Sequence, residues 1–252
     1  MTVHQQYERT IGRARFLLAG DTGVVVEFGD RVDRELSEAV LQLRSILMAA
    51  KLPGVLDLVP SFRSLLVQYD PLVSDGLTII DAIVVHMDTP VELDTQPRTW
   101  ELPACYDETL APDVTDVADR LNMSVSQIID LHSAQDYSVY FLGFLPGCAL
   151  IGDLPSELEL PRRTTPRVRV PEGSLAIAMR LSIVYPLVSP GGWHLIGNCP
   201  LQFFDHRATP PSLLAPGDKV RFKPISLSEH AALSQERSTG RLFAESERFL
   251  RA

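Results

Sequence analysis

The chain has 252 residues, 45% of them hydrophobic, and a net charge of -9 with a pI of about 5.1. That length accommodates one large domain or two ordinary ones with buried cores, and the acidity argues against broad nucleic-acid binding or an anionic membrane as partner. No run reaches the apolar length that spans a bilayer, Met1 to Arg15 lacks the apolar core and small-residue cleavage site of a secretory signal, and Cys105, Cys148 and Cys199 read as reduced thiols of a cytoplasmic protein.

Two short apolar runs, Arg15 to Ala19 and Val24 to Phe28, flank Gly20-Asp-Thr-Gly23 and give a hairpin signal. From Arg34 to Lys51, the residues Leu36, Val40, Leu43 and Leu47 recur at helical spacing, and Pro53-Gly54 stops the helix. Val55 to Val59 and Leu65 to Tyr69 are expected strands on either side of Pro60-Ser61, and Leu77 to His86 a second helix. The order ββαββα predicts a small α/β sandwich over residues 1–90, with helices on an antiparallel sheet. Met87 to Thr99 holds two prolines and few large apolar residues, so a linker is expected at 91–99.

Glu101 to Tyr106 then reads as a strand, and Pro112 to Asn122 and Ser124 to Ala134 as helices, with Ser124 and Gln127 spaced as a capping box. The helix pair resembles a helix-turn-helix. Its second helix offers Gln127, Asp130 and His132 but no lysine or arginine, so 112–134 is read as a helical insertion on a barrel and not as a DNA reader. From Tyr137 to about Ile225, short strands with turns at Pro171-Glu-Gly173 and Pro216-Gly-Asp218 predict a closed or nearly closed β barrel. The barrel domain spans 100–226, and a tail, 227–252, is expected to be helical and loosely attached. The fold class is α+β and mainly β.

The strongest chemical anomaly lies between Leu160 and Pro171, where Arg162, Arg163, Arg167 and Arg169 occur with no acid. A guanidinium fork matches carboxylate or phosphate at two points. Arg167 and Arg169 alternate with Val168 and Val170, as on an ordinary strand edge; Arg162 and Arg163, held by Pro161, are less ordinary. Ser189-Pro-Gly-Gly192 is either a tight turn or a concave set of backbone N–H groups that receives an anion, and Trp193 either a core residue or its wall. Gly143-Phe-Leu-Pro-Gly147 is either a bend between strands or a loop that a ligand approaches closely, with Gly143, Pro146 and Gly147 as its fixed points. With the Tyr185 hydroxyl, the expected substrate-binding set is Arg162, Arg163, Arg167, Tyr185, Ser189, Gly191, Gly192 and Trp193. No catalytic residue is assigned. Ser189, His194 and Asp205 lack a nucleophile elbow, and Cys148 reads as a small buried thiol. No metal site is expected from the histidine spacing, and neither a phosphate loop nor a dinucleotide fingerprint is present.

Gly143-Phe-Leu-Pro-Gly147, the Pro161-Arg-Arg-Thr-Thr-Pro-Arg167 run, Tyr185-Pro186, Ser189-Pro-Gly-Gly-Trp193 and Pro216-Gly-Asp-Lys-Val-Arg-Phe222 together resemble the allophanate hydrolase subunit 1 family. Val59-Pro-Ser-Phe-Arg-Ser-Leu-Leu-Val-Gln-Tyr-Asp-Pro71 extends the similarity upstream. The resemblance implies a cyclophilin-like barrel behind a separate α/β domain. It also implies the role of the B-type component in an ATP-dependent 5-oxoprolinase, or in a related amide-hydrolysing complex, acting on a small carboxylate. The implied partners are a second family member of the C type and a catalytic protein of the A type, with ATP used through the complex. The family also holds an inhibitor of a sporulation histidine kinase, so the alternative is a non-catalytic protein that binds such a kinase. Two stretches depart from the family pattern. Members read Pro-Gly-Phe-Pro-Tyr-Leu-Gly-Gly-Leu-Pro where this chain has Pro146-Gly-Cys-Ala-Leu-Ile-Gly-Asp-Leu-Pro155, and Gly-x-Gln-Thr-Gly-Ile-Tyr-Pro where it has Met179-Arg-Leu-Ser-Ile-Val-Tyr-Pro186.

Overall fold

Alternation of side chains builds the first sheet. In β2 (Ala14–Leu18) Ala14 and Phe16 are buried with Arg15 exposed between them, and β3 (Gly23–Glu27) buries Val24 and Val26. With β1 (Glu8–Ile11), β4 (Val55–Pro60) and β5 (Ser64–Tyr69) they form an antiparallel sheet of order β1-β2-β3-β5-β4. The helix α1 (Arg34–Ala50) starts on Asp33, whose side chain accepts from the Glu35 N–H, and ends at Lys51 in the left-handed conformation. It buries Val40, Leu43, Ile46 and Leu47, and α2 (Gly76–Met87) buries Ile79, Ile80 and Ile83. The core of this unit combines both helices with the sheet. The expected ββαββα order is present, preceded by β1, which the pattern reading did not contain. The structure, a computed structural model, describes residues 8–12, 14–87, 97–238 and 246–251. The chain divides into the units Met1–Gln96 and Pro97–Ala252. Most of the expected linker lies outside the described residues, and Thr99 already belongs to a strand.

The second unit is built on β6 (Thr99–Ala104), β7 (Tyr137–Leu142), β8 (Ala149–Gly152), β9 (Arg167–Val170), β10 (Ser174–Ala178), β11 (Leu181–Val184), β12 (Ser189–Gly191), β13 (His194–Asn198) and β14 (Lys219–Pro224). Seven of these strands form one sheet of order β13-β10-β11-β8-β7-β14-β6. Its edges meet where the Cys105 N–H donates to the Asn198 carbonyl at 2.9 Å and the Asn198 N–H returns the bond at 2.8 Å. The expected closed or nearly closed barrel is therefore present, as a nearly closed seven-stranded sheet. Trp100, Leu102, Tyr137, Ile151, Leu175, Ile177, Ile196 and Phe222 fill it. The strands β9 and β12 form a separate two-stranded ribbon.

The helical insertion consists of α3 (Val114–Leu121) and α4 (Val125–Ser133), and the capping box of Ser124 and Gln127 is made. Val117 and Ile128 join the barrel core. His132, fully buried at the end of α4, ties the insertion to β11: its Nδ1 lies 2.8 Å from the Tyr106 hydroxyl and its Nε2 3.2 Å from the Ser182 hydroxyl. The described parts of the expected tail, 227–238 and 246–251, carry several contacts to the barrel unit. The helix α5 (Leu227–Ser238) buries no residue but is held by His230 Nε2, 2.7 Å from Asn198 Oδ1, and by an ion pair of Arg237 with Glu172. Further on, the Arg251 N–H donates to the Thr99 carbonyl at 2.8 Å beside β6. Among the described residues the hold comes from side-chain and edge hydrogen bonds and from Leu233, Phe249 and Leu250, which pack against the barrel core.

Candidate functional site

The ribbon gathers the segments that the sequence set apart. In β9, Arg167 pairs with Gly191 of β12, and Val170 with Ser189, with a bulge at Pro190 between them. Beyond the ribbon the Arg163 N–H donates to the Gly192 carbonyl at 2.8 Å, and His194 Nε2 bonds the Pro161 carbonyl at 2.9 Å. Residues 161–167 and 189–194 thus lie side by side. Arg162 is exposed and places its guanidinium 5.7 Å from the centre of the buried Trp193 ring, a cation–π arrangement.

Ser189-Pro-Gly-Gly192 is not the tight turn or N–H nest of the sequence reading. Ser189–Gly191 is a strand, and neither Gly191 nor Gly192 has a positive φ, whereas a nest needs alternating backbone hands. What requires glycine at 191 is contact: a Cβ there would overlap the Tyr185 hydroxyl, while at 192 the nearest atoms would lie at 3.6 Å, on Pro166. Tyr185 is buried, and burial pushes its hydroxyl up to about 12, against a main-chain hydrogen bond from Trp193 and the charges of Arg162 and Arg167. It is a neutral hydroxyl at physiological pH. The Gly143 to Gly147 segment is the loop between β7 and β8, closed by the Gly143 N–H on the Cys148 carbonyl at 3.0 Å. Gly147 has φ 76°, and Phe144, with φ 71°, sets its exposed ring edge-on to Tyr185 with centroids 6.4 Å apart.

Arg163 and Arg167 both turn to Asp113. Its Oδ1 accepts from Arg163 Nη1 at 3.1 Å and from Arg167 Nη2 at 2.6 Å, and its Oδ2 accepts from the Leu195 N–H at 2.7 Å. Asp113, 4% exposed, immediately precedes α3. Sequence reasoning missed it. The only local signal was an acid before a helix, which reads as a cap; here the side chain makes no cap bond. Arg163 Nε, Arg167 Nη1 and His194 Nδ1 are enclosed without a hydrogen-bond partner. Ser189 Oγ donates to the Pro190 carbonyl, and Asp205 pairs with Arg207, so no triad forms. Burial pushes the Cys148 thiol up to about 12. Among the described residues, no group of three or more His, Cys, Asp or Glu side chains is placed to hold a metal, and no helix is long and apolar enough to cross a membrane.

A barrel unit carrying an arginine-lined ribbon, preceded by an α/β unit, defines a two-unit α+β protein. The chain belongs to the family described as carboxyltransferase domain, subdomain C and D, whose model matches residues 14–214. It is 37% identical over 212 residues to the 5-oxoprolinase B subunit of Escherichia coli O157:H7, covering 84% of this chain and 96% of that one. It is 31% identical over 247 residues to the 5-oxoprolinase B subunit of Bacillus subtilis strain 168, covering 94% and 99%. The solved structure of TTHA0988 superposes with a TM-score of 0.74 at 36% identity over 81% of this chain, which spans only 40% of that chain's length.

Proposed function

We propose that this chain is the B-type component of an ATP-dependent 5-oxoprolinase, or of a closely related amide-hydrolysing complex, and that its ribbon holds the carboxylate of a small substrate. The observation that carries the reading is the Arg162 guanidinium, exposed over Trp193 beside Tyr185 and Gly191, in a chain alignable with 5-oxoprolinase relatives of the B type over most of its length. An exposed guanidinium over an aromatic ring suits a carboxylate joined to a small ring. In this reading the substrate is 5-oxoproline, whose lactam is opened to glutamate at the cost of ATP. The partners are a second family member of the C type and a catalytic protein of the A type, and the complex supplies the ATP site. Arg162, Tyr185, Gly191 and Trp193 orient the substrate, the Arg163–Arg167 pair supplies positive charge beside it, and Ser189 and Gly192 build the ribbon that places them.

The test is co-expression with the partner proteins and assay of ATP-dependent 5-oxoproline cleavage. Activity is expected only with every component present, and an Arg162→Lys chain is expected to raise KM by about 5- to 100-fold, because lysine keeps the charge and loses the two-point match. Absence of cleavage in the complete assembly would reject the 5-oxoprolinase reading.

A further inference from the structure

We infer that Asp113 is a positioning residue that sets the charge selectivity of the ribbon, restricting it to monoanions. The inference rests on the reading of the ribbon as the place where a small carboxylate is held. Asp113 ties β13 to the arginine segment that leads into β9. Its own N–H donates to the Leu195 carbonyl at 3.0 Å, its Oδ2 takes the Leu195 N–H at 2.7 Å, and its Oδ1 takes both arginines. A carboxylate at a helix start ordinarily caps the helix; this one makes no cap bond and serves the guanidinium groups instead. The two helices of the insertion thereby acquire a use beyond packing, because they deliver one acid to a segment that has none of its own.

The charge count follows from the geometry. Arg163 and Arg167 share a single carboxylate, so the cluster keeps one positive charge, and Arg162 adds an exposed one over Trp193. The pair is also left short of acceptors, since Arg163 Nε and Arg167 Nη1 are enclosed without partners. A monocarboxylate neutralises the single charge that the Arg163–Arg167 pair keeps once Asp113 is counted. Without the Asp113 charge the pair would present two uncompensated guanidinium groups, the arrangement that favours a doubly charged phosphate. Asp113 thus holds the arginines in place and at the same time lowers their combined charge.

The experiment titrates the full chain, alone and assembled with its partner proteins, with acetate, 5-oxoproline and inorganic phosphate by calorimetry and thermal shift. The charge of the cluster is varied stepwise: wild type keeps one positive charge, Asp113→Asn two, Asp113→Asn/Arg167→Gln one again, and Arg167→Gln none. The expected result is a preference of the wild type for the monocarboxylates. Asp113→Asn should shift the phosphate-to-carboxylate affinity ratio at least tenfold toward phosphate, the double variant should restore it, and Arg167→Gln should weaken both ligands. The double variant also covers the case in which Asp113→Asn fails to fold, since it removes the uncompensated cation. A lowered melting temperature with an unchanged affinity ratio would make Asp113 merely structural and overturn the inference while leaving the site intact. If the wild type, alone and assembled, binds none of the three, the site reading itself falls and the inference with it.

Discussion

Gly191 and Gly192 are neighbours, yet only the first has no room for a side chain. Tyr185 stands where a Cβ of residue 191 would go, whereas residue 192 faces Pro166 at an ordinary contact distance of 3.6 Å. Gly191→Ala is therefore expected to destabilise by about 1–3 kcal/mol through overpacking and to displace Tyr185, while Gly192→Ala stays within about 1 kcal/mol of wild type. Thermal melts of the two variants check this, and equal costs would contradict it. The departures from the family pattern lead to a second comparison at this scale. Met179 and Asp153 stand where the family pattern that the sequence resembles has glycine, and both have left-handed backbone, at φ 54° and 70°. Asp153 has a compensation, since its carboxylate accepts from the Tyr140 hydroxyl at 2.8 Å. Met179 is 38% exposed. Left-handed backbone costs an ordinary residue about 1–2 kcal/mol, so Met179→Gly is expected to raise stability by about 1 kcal/mol after glycine's larger entropy loss, read as a higher denaturant midpoint at constant slope. Asp153→Gly should gain less, because it gives up the Tyr140 bond.

At the scale of elements, the helical insertion is fastened by a buried histidine, and this makes its docking sensitive to acid. Burial lowers the His132 pKa from 6.5 to about 3, and its ring packs against Phe222 with centroids 4.6 Å apart. The unfolded chain takes up this proton below about 6.5 and the folded chain only near 3. The stability tied to neutral His132 is therefore complete above 6.5 and is lost as pH falls toward 3. The slope from this group approaches about 1.4 kcal/mol per pH unit inside that window. His132→Gln is expected to cost about 1–3 kcal/mol near pH 7 and to flatten the acid limb of the stability curve between pH 6 and 4, measured by denaturant titrations at each pH; a limb of unchanged slope would show that other groups govern it. These helices were legible in the sequence, as were the strands β2 to β6, because caps, turn residues and apolar periodicity are local signals; from Tyr137 on the sequence showed a run of short strands and not its members. The strand β1 was not, since Glu8–Ile11 has one large apolar residue and no alternation. The ribbon was legible only in part. The arginines and glycines stood out by composition, but the pairing of 167–170 with 189–191 joins segments about twenty residues apart. The bond from Asp113 to Arg167 spans 54 positions, and no local spacing signals a contact of that kind.

At the scale of the whole molecule, each unit has the interior it needs. The first closes Phe16, Val24, Leu43, Leu65, Val67 and Ile83 into one core, and the second closes Trp100, Leu102, Tyr137, Ile177 and Phe222 into another. Separate cores predict separate folding, and the second unit is long enough to bury a sizeable share of its apolar surface unaided. Every described contact of the ribbon site, from Asp113 to Leu195 and from Phe144 to Trp193, is made inside Pro97–Ala252. A chain of residues 97–252 is accordingly expected to melt cooperatively and to keep Trp193 in its buried environment beneath Arg162. Its single-tryptophan form, Trp100→Phe, gives the readout: a blue-shifted emission quenched little by acrylamide in the unit as in the full chain. The substitution removes the Trp100 Nε1 bond to Asp218 at 2.9 Å, so the same variant in the full chain serves as the reference. Cooperative melting with matching emission would place the site wholly in the barrel unit. A non-cooperative unit, or a solvent-exposed Trp193 that is buried in the full-length variant, would show that the first unit is needed to build the ribbon.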